Sequence, residues 1–169
     1  MPSILFICTA NQFRSPLAAG FLRKHIASHP CPGDWHIASA GTWTQPGLPA
    51  AASAIKLAQK LSLPGLNDHT TQTVTQQLLN GYDLILMMEV GQLEAIASEF
   101  HSVFGRSMLL SEVVDGVPYD IPDPIDVTTD PSEVASELQM LIEKGAEKIL
   151  PLAKTLHEAR DISGELDHR

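Results

Sequence analysis

Near its start the chain has a cysteine and, six residues later, an arginine followed by a serine, a spacing that is compatible with displacement at phosphorus. Cys8 is followed by a short loop, then by Arg14 and the pair Ser15-Pro16. A thiolate is a nucleophile that can attack phosphorus, and a guanidinium can hold two phosphoryl oxygens at once. This order predicts that Cys8 attacks a phosphate ester and that Arg14 stabilises the charge of the transition state.

The segment between Cys8 and the following helix is predicted to bind the phosphate group. Ser15 and Pro16 predict a helix start, with Ser15 as the N-cap and Pro16 as the first helical residue. A loop that closes onto a helix N-terminus presents unpaired N–H groups and the positive end of the helix dipole, which attract anions. The same field would stabilise a thiolate at Cys8. The predicted phosphate-binding residues are Thr9, Ala10, Asn11, Gln12, Phe13 and Ser15.

Each of these residues also has an ordinary structural explanation. Cys8 could be a buried residue at a strand end, and Arg14 could be a surface residue. The apolar run from Ile4 to Ile7 before the loop and the helix start after it favour the catalytic interpretation. The sequence has no Walker-type glycine loop, so nothing in it favours binding of a nucleoside triphosphate.

A second reactive region lies late in the chain, where three aspartates occupy positions 120, 123 and 126. A carboxylic acid opposite the nucleophile can protonate the leaving oxygen and then activate the water that hydrolyses the cysteinyl phosphate. Proline on both sides of Asp123 favours a loop there. The residues alone leave Asp120, Asp123 and Asp126 as candidates.

Short apolar runs alternate with segments of helical periodicity, which is typical of a parallel sheet. Strands are predicted at 3–7, 35–39, 83–87 and 107–110, and helices at 16–28, 49–62, 73–80, 90–101 and about 131–158, the last interrupted near Gly145 or Pro151. The predicted fold class is α/β: an open four-stranded parallel sheet with helices on both faces, flavodoxin-like. Ligands bind beyond the carboxyl ends of such strands, so the turn after residue 7 is the predicted binding site.

Composition limits the kind of protein and its partners. The 169 residues, 44% of them hydrophobic, predict one domain over residues 1–160 and a solvated tail over 161–169. A net charge of −9 with only 11 lysines and arginines disfavours binding to nucleic acid or to a membrane. We expect the apolar start to be neither a signal peptide nor a membrane span, because no basic residue precedes it and polar residues follow at Asn11 and Gln12. Two cysteines, Cys8 and Cys31, are too few for a disulfide framework, and a thiolate nucleophile requires a reducing compartment, so we expect a cytoplasmic protein.

With these motifs the chain resembles the low-molecular-weight protein tyrosine phosphatases, which carry a Cys-x5-Arg-Ser-Pro loop directly after the first strand. The resemblance covers Ile4 to Ala19, Ser39-Ala40-Gly41-Thr42, His69, the run from Asp83 to Glu89, and Asp123-Pro124. It implies a protein-tyrosine-phosphatase that forms a cysteinyl-phosphate intermediate and acts on phosphotyrosine or another protein phosphate. It implies no cofactor and no metal, and we expect a monomer or weak homodimer.

The resemblance also implies roles for individual residues. It selects Asp123 as the general acid, beside Cys8 and Arg14 as the other catalytic residues. It implies that Asn11, Ser15, Ser39 and His69 form a hydrogen-bonded network that supports the loop. Trp43 is either a wall of the substrate pocket or a partly buried anchor.

Three departures from the family pattern leave the substrate open. Gln12 stands where the family commonly has a small aliphatic residue, or a threonine in members that act on phosphoarginine. Phe13 replaces a second cysteine that many members carry, and Ile125 replaces an aromatic residue. Phosphotyrosine, phosphoarginine and a small-molecule phosphate therefore remain candidate substrates. Two other functions stay open: an arsenate reductase-like enzyme, disfavoured because no cysteine follows Cys31, and a phosphate-binding regulatory module without turnover.

Overall fold

The computed structural model describes residues 1–29, 33–125 and 128–166. Cys31 and Asp126 lie outside the described residues.

Four parallel strands form one sheet in the order β2-β1-β3-β4. The strands are β1 (Ser3–Cys8), β2 (His36–Gly41), β3 (Leu84–Met87) and β4 (Ser107–Leu109). β1 is buried along its whole length, as expected for the central strand of a parallel sheet. The register places Cys8 beside Gly41 and Ile7 beside Met87, so these three strands end at one edge. The predicted fold class is confirmed, and each strand boundary lies within two residues of its predicted position.

Helices cover both faces of the sheet. They are α1 (Arg14–Ser28), α2 (Ala52–Leu61), α3 (Gln76–Asn80), α4 (Val90–Glu99), α5 (Leu110–Asp115) and α6 (Pro131–Leu166). Side chains of β1 alternate between the faces. Ile4 and Phe6 pack in the core with α1, α2, α5 and α6, whereas Leu5 and Ile7 pack on the side of α3 and α4. No helix within the described ranges combines the length and the apolar character needed to cross a membrane.

Two predicted helices begin later than expected because their first residues make tertiary contacts. The helix predicted from residue 49 begins at Ala52, since Pro49 bridges to Thr70 and the Ala51 N–H donates to the Gln12 carbonyl at 2.8 Å. The helix predicted from residue 73 begins at Gln76, since Thr73 bridges to Gly41 and the Val74 N–H donates to the Gly41 carbonyl at 3.0 Å before Thr75 caps the helix. The helix predicted at 90–101 ends at residue 99 and is followed by a 3-10 turn at His101–Val103. α5 was not predicted.

The last helix runs without interruption, so the break predicted near Gly145 or Pro151 is wrong. Gly145 has a packing role, because a Cβ there would overlap Cγ2 of Val114 on α5. Pro151 lies on the exposed side of the helix. α6 also continues through Asp161, where the solvated tail was predicted, as far as Leu166.

Candidate active site

The loop after β1 wraps around the sulfur of Cys8. Asn11 has a φ of 57°, a left-handed backbone that asparagine tolerates better than most residues. In this conformation the Asn11 N–H donates to the Cys8 Sγ at 3.3 Å. The backbone of the loop therefore directs a donor at the predicted nucleophile.

The predicted supporting residues come together around the buried Asn11. Its Nδ2 donates to the hydroxyls of Ser15 and Ser39, each at 2.9 Å, and its carbonyl lies 2.7 Å from the His69 Nε2. Its Oδ1 accepts the N–H of Gln72 at 3.0 Å. Gln72 was not predicted, because its backbone makes this contact and leaves no signal in side-chain type.

His69 supports the loop as a neutral donor. Burial lowers the pKa of His69, and the nearby Arg23 lowers it further, although the hydrogen bond to the Asn11 carbonyl raises it. A neutral imidazole carries one N–H. The Asn11 carbonyl can only accept, which assigns that proton to Nε2.

Ser15 does not act as the N-cap of α1, contrary to the prediction. The helix begins at Arg14, and its N-cap residue, Phe13, makes no side-chain capping bond. The Ser15 hydroxyl instead lies 3.0 Å from the Cys8 Sγ and accepts from Asn11. Pro16 falls in the first turn of the helix, where its missing N–H costs no helical hydrogen bond.

Arg14 is enclosed by two carboxylates. Its side chain is 2% exposed. Nη1 pairs with Glu89, the N-cap of α4, and donates to the Ile121 carbonyl at 2.9 Å, and Nη2 pairs with Asp123 at 3.0 Å. The late loop and the edge of the sheet therefore meet at the Arg14 guanidinium. The ion pair between Glu89 and Arg14 was not predicted from the sequence.

Of the two described aspartates in the late loop, Asp123 is the one at the site. It contacts Arg14, and its Oδ1 accepts the Ile125 N–H at 3.1 Å. The Asp120 carboxylate instead accepts the Val90 N–H at 2.8 Å, at the start of α4.

Cys8, Arg14 and Asp123 line one cavity of about 160 Å³. The remaining lining residues are Ala10, Gln12, Phe13, Ala51, Ser53, Pro124, Ile125 and Pro131. A larger cavity of about 860 Å³ lies between α1 and α6, against Trp35, and contains none of the predicted site residues. The small cavity therefore contains all three candidate catalytic residues.

Trp43 is 83% exposed, which contradicts the alternative that it is a partly buried anchor. Its N–H donates to the Thr9 carbonyl at 3.0 Å, so its backbone is tied to the loop while its ring projects into solvent. The ring is not part of the cavity lining.

The first turn of α4 also reaches the loop. Glu89 and Gln92 form a capping box at the helix start. The Gln92 Nε2 continues past the cap and donates to the Thr9 hydroxyl at 3.1 Å. The sequence signature of a capping box has Ser, Thr, Asp or Asn at the N-cap, so a glutamate at this position gave no such signal.

The arrangement combines a sulfur nucleophile, a buried cation and a carboxylate around a small cavity. Such a set can perform displacement at phosphorus followed by hydrolysis. Within the described ranges, no group of three or more His, Cys, Asp or Glu side chains is arranged to hold a metal ion.

Comparison with known proteins agrees with this chemistry. The family model described as low molecular weight phosphotyrosine protein phosphatase matches residues 3–161. The low molecular weight protein-tyrosine-phosphatase Etp of Escherichia coli K12 is 35% identical over 134 residues, 78% of this chain and 82% of that protein. A protein-arginine-phosphatase of Bacillus subtilis is 30% identical over 147 residues, 86% of this chain and 95% of that protein. The solved tyrosine phosphatase Wzb from Escherichia coli K30, in complex with sulphate, superposes with a TM-score of 0.73 at 33% identity, covering 88% of this chain and 99% of that one.

Proposed function

The chain belongs to the low molecular weight phosphotyrosine protein phosphatase family and is a phosphatase; we propose that it hydrolyses phosphotyrosine on proteins with Cys8, Arg14 and Asp123 as its catalytic residues. One observation carries this proposal: the three side chains line a single small cavity where the central strands of the sheet end. In open parallel sheets this edge is where ligands bind.

The reaction has two displacements at phosphorus. In the first, the Cys8 thiolate forms a bond to phosphorus and the bond to the leaving oxygen breaks, while protonated Asp123 gives its proton to that oxygen. In the second, Asp123 accepts a proton from water, and the water oxygen attacks the cysteinyl phosphate. Inorganic phosphate leaves, the thiolate is restored, and Asp123 is again protonated.

The loop and Arg14 supply the positive environment that this reaction needs. Backbone N–H groups near the start of α1 favour an anion, and the guanidinium stabilises the equatorial oxygens of the transferring group. The relative Wzb was solved with sulphate, a tetrahedral dianion like phosphate, which supports an anion site in this fold.

The experiment that tests the proposal is release of phosphate from an aryl phosphate ester. The unaltered chain should release phosphate, and Cys8→Ser should release none while it still binds inorganic phosphate. Binding without hydrolysis in the unaltered chain would favour the regulatory module. Arsenate loss coupled to thiol oxidation, without ester hydrolysis, would favour the arsenate reductase-like alternative.

Phosphoarginine is a second candidate substrate, because Gln12 offers a polar acceptor in the cavity wall. The Gln12 Nε2 donates to the Pro49 carbonyl at 3.1 Å, so its Oε1 is available for the N–H of a guanidinium. The Bacillus subtilis relative is a protein-arginine-phosphatase. Two peptides of one sequence, carrying phosphotyrosine or phosphoarginine, separate the candidates. If phosphoarginine is the substrate, Gln12→Leu should slow hydrolysis of the phosphoarginine peptide and leave hydrolysis of the phosphotyrosine peptide unchanged.

The proposed setting follows from the nucleophile. A thiolate persists in a reducing compartment, so we propose a cytoplasmic location. The names of the relatives support phosphorylated proteins as partners. We also propose a monomer or weak homodimer as the active form. Sedimentation at micromolar concentration tests the last point.

A further inference from the structure

Gln92 is a buried side chain whose three hydrogen bonds join α4 to the phosphate-binding loop. Its Oε1 accepts the N–H groups of Met88 and Glu89, each at 3.0 Å, and its Nε2 donates to the Thr9 hydroxyl at 3.1 Å. It is 5% exposed. Because Oε1 must face two N–H donors, the orientation of the amide is fixed and Nε2 must face Thr9.

Thr9 is the loop residue directly after the nucleophile, and it is held from two sides. Its carbonyl accepts the Trp43 N–H at 3.0 Å. A Cβ on Gly41 would lie only 2.6 Å from this carbonyl, so the end of β2 is packed tightly against the loop backbone. The Thr9 side chain does not line the cavity. Its hydroxyl instead contacts Gln92 of α4.

The same turn of α4 also holds the arginine. Glu89, which forms the capping box with Gln92, pairs with Arg14. One helical turn thus contacts both ends of the loop, at Thr9 and at Arg14. A helix cap needs only the acceptor oxygens of its side chains; the Nε2 donor of Gln92 makes a contact that capping does not require.

We propose that Gln92 is a positioning residue for the phosphate-binding loop: through the Thr9 hydroxyl it holds the loop in register with Arg14, so that the backbone N–H groups and the guanidinium converge on one phosphate. The proposal rests on the proposed function of the loop as a phosphate site. It assigns Gln92 no contact with the substrate.

The test removes the contact from the loop side and leaves the helix cap intact. Thr9→Val deletes the hydroxyl and nearly preserves side-chain shape. It should weaken binding of inorganic phosphate, measured by calorimetry, by about fivefold, the value of one neutral hydrogen bond. The ratio kcat/KM for an aryl phosphate should fall in parallel. Thr9→Ser should retain more phosphate affinity than Thr9→Val, because it keeps the acceptor.

A double-mutant cycle distinguishes positioning from stabilisation. Gln92→Met removes the cap and the link, so it should lower both the unfolding midpoint and phosphate affinity. In the Thr9→Val background it should lower the midpoint but cost little further affinity, since the link is already lost. Gln139→Met, on α6 and away from the loop, is the control and should leave phosphate affinity unchanged.

Two results would overturn the proposal: phosphate binding by Thr9→Val within twofold of the unaltered chain, or a Gln92→Met variant that loses stability alone. Calorimetry measures binding of inorganic phosphate and does not require the chain to hydrolyse an ester. If the proposed catalytic function failed, the unaltered chain would bind phosphate without hydrolysing the ester, and that result is distinct from both.

Discussion

At the scale of single residues, the site depends on how Arg14 is neutralised. A buried guanidinium requires anionic partners, and in the free enzyme Glu89 and Asp123 provide them. A phosphate group that pairs with Arg14 competes with the Asp123 carboxylate. In the proposed mechanism, release of Asp123 from Arg14 would leave it free to carry the proton that the leaving oxygen receives.

This exchange leads to a prediction about leaving groups. Asp123→Asn should slow hydrolysis of phosphotyrosine by at least about 100-fold, since a general acid contributes roughly 10²–10⁴. The loss on a nitrophenyl ester should be much smaller, because nitrophenolate leaves without a proton. Steady-state rates on the two esters measure the contrast.

Asp120→Asn is the matched control, because Asp120 accepts a bond from the start of α4 and does not contact Arg14. It should affect the two esters equally. A leaving-group contrast in Asp120→Asn, and none in Asp123→Asn, would show that the wrong aspartate has been assigned as the acid.

Ser15 gives a second prediction, on the reactivity of the thiol. Its hydroxyl lies 3.0 Å from the Cys8 Sγ, where it can donate to a thiolate. Ser15→Ala should therefore slow alkylation of Cys8 by iodoacetate at pH 7, by about tenfold if the lost bond is charge-assisted. Inorganic phosphate should protect Cys8 in the unaltered chain.

Ser28→Ala, at the far end of α1, is the control for Ser15→Ala and should not change alkylation of Cys8. Equal rates in all three proteins, unaffected by phosphate, would contradict an anion site around this sulfur.

Part of the candidate site could be predicted from the sequence because its residues are close together along the chain. Cys8, Asn11 and Arg14 lie close together in sequence, from the end of β1 to the start of α1, so residue type and spacing indicate their chemistry. Glu89 and Gln92 reach this loop only because β3 pairs with β1 and ends beside it. That register is a tertiary property, so no local pattern places the two residues at the site.

At the scale of elements, close packing of α5 on α6 explains why α6 continues through Gly145. Glycine and proline are unfavourable inside a helix by local propensity, which led to the predicted break. Gly145 has no side chain to separate the two helices, and it faces Val114. Buried contacts along α6 outweigh the local cost, as tertiary packing commonly does.

Gly145→Ala should therefore destabilise the protein, by about 1–3 kcal/mol for an overpacked contact. Val114→Ala in the same chain should recover part of this loss by making room for the new methyl group. The free energy of unfolding in urea measures both effects.

Gly164→Ala, on the same helix, provides the control. A Cβ there meets nothing within 4 Å, so alanine should stabilise the helix or leave it unchanged. If Gly145→Ala were as harmless as Gly164→Ala, the proposed packing role of Gly145 would be wrong.

At the scale of the whole molecule, a charged cluster joins the starts of β1 and β3 to α6 at the sheet edge opposite the candidate active site. The Asp83 carboxylate accepts from the Ser3 hydroxyl at 2.8 Å and pairs with Arg160 of α6 at 2.7 Å. His157 lies 3.1 Å from the same carboxylate and 3.1 Å from the N-terminal amino group. The cluster ties α6 to the starts of β1 and β3, whereas the cavity lined by Cys8 lies at the opposite edge of the sheet.

Asp83 should make stability depend on pH in the acid range. Burial by itself would raise the pKa of Asp83, but the hydrogen bonds from Ser3 and Arg160 and the nearby His157 outweigh it and lower the pKa below its ordinary value. A carboxyl whose pKa is lower in the folded state adds stability above its unfolded pKa, about 3.9. That contribution is lost as the pH falls through the folded value.

Asp83→Asn should therefore cost about 2 kcal/mol of unfolding free energy at pH 7, the value of hydrogen bonds to a charged group. The difference from the unaltered chain should shrink below about pH 4, where protonation removes the same charge. Urea unfolding at several pH values measures it, and Asp68→Asn, at an exposed position, is the control with little effect at any pH.

Phosphatase activity at pH 7 should survive in Asp83→Asn wherever the protein remains folded, because the cluster and the cavity occupy opposite edges of the sheet. A stability difference that stayed constant from neutral to acid pH would show that Asp83 acts through packing and not through its charge.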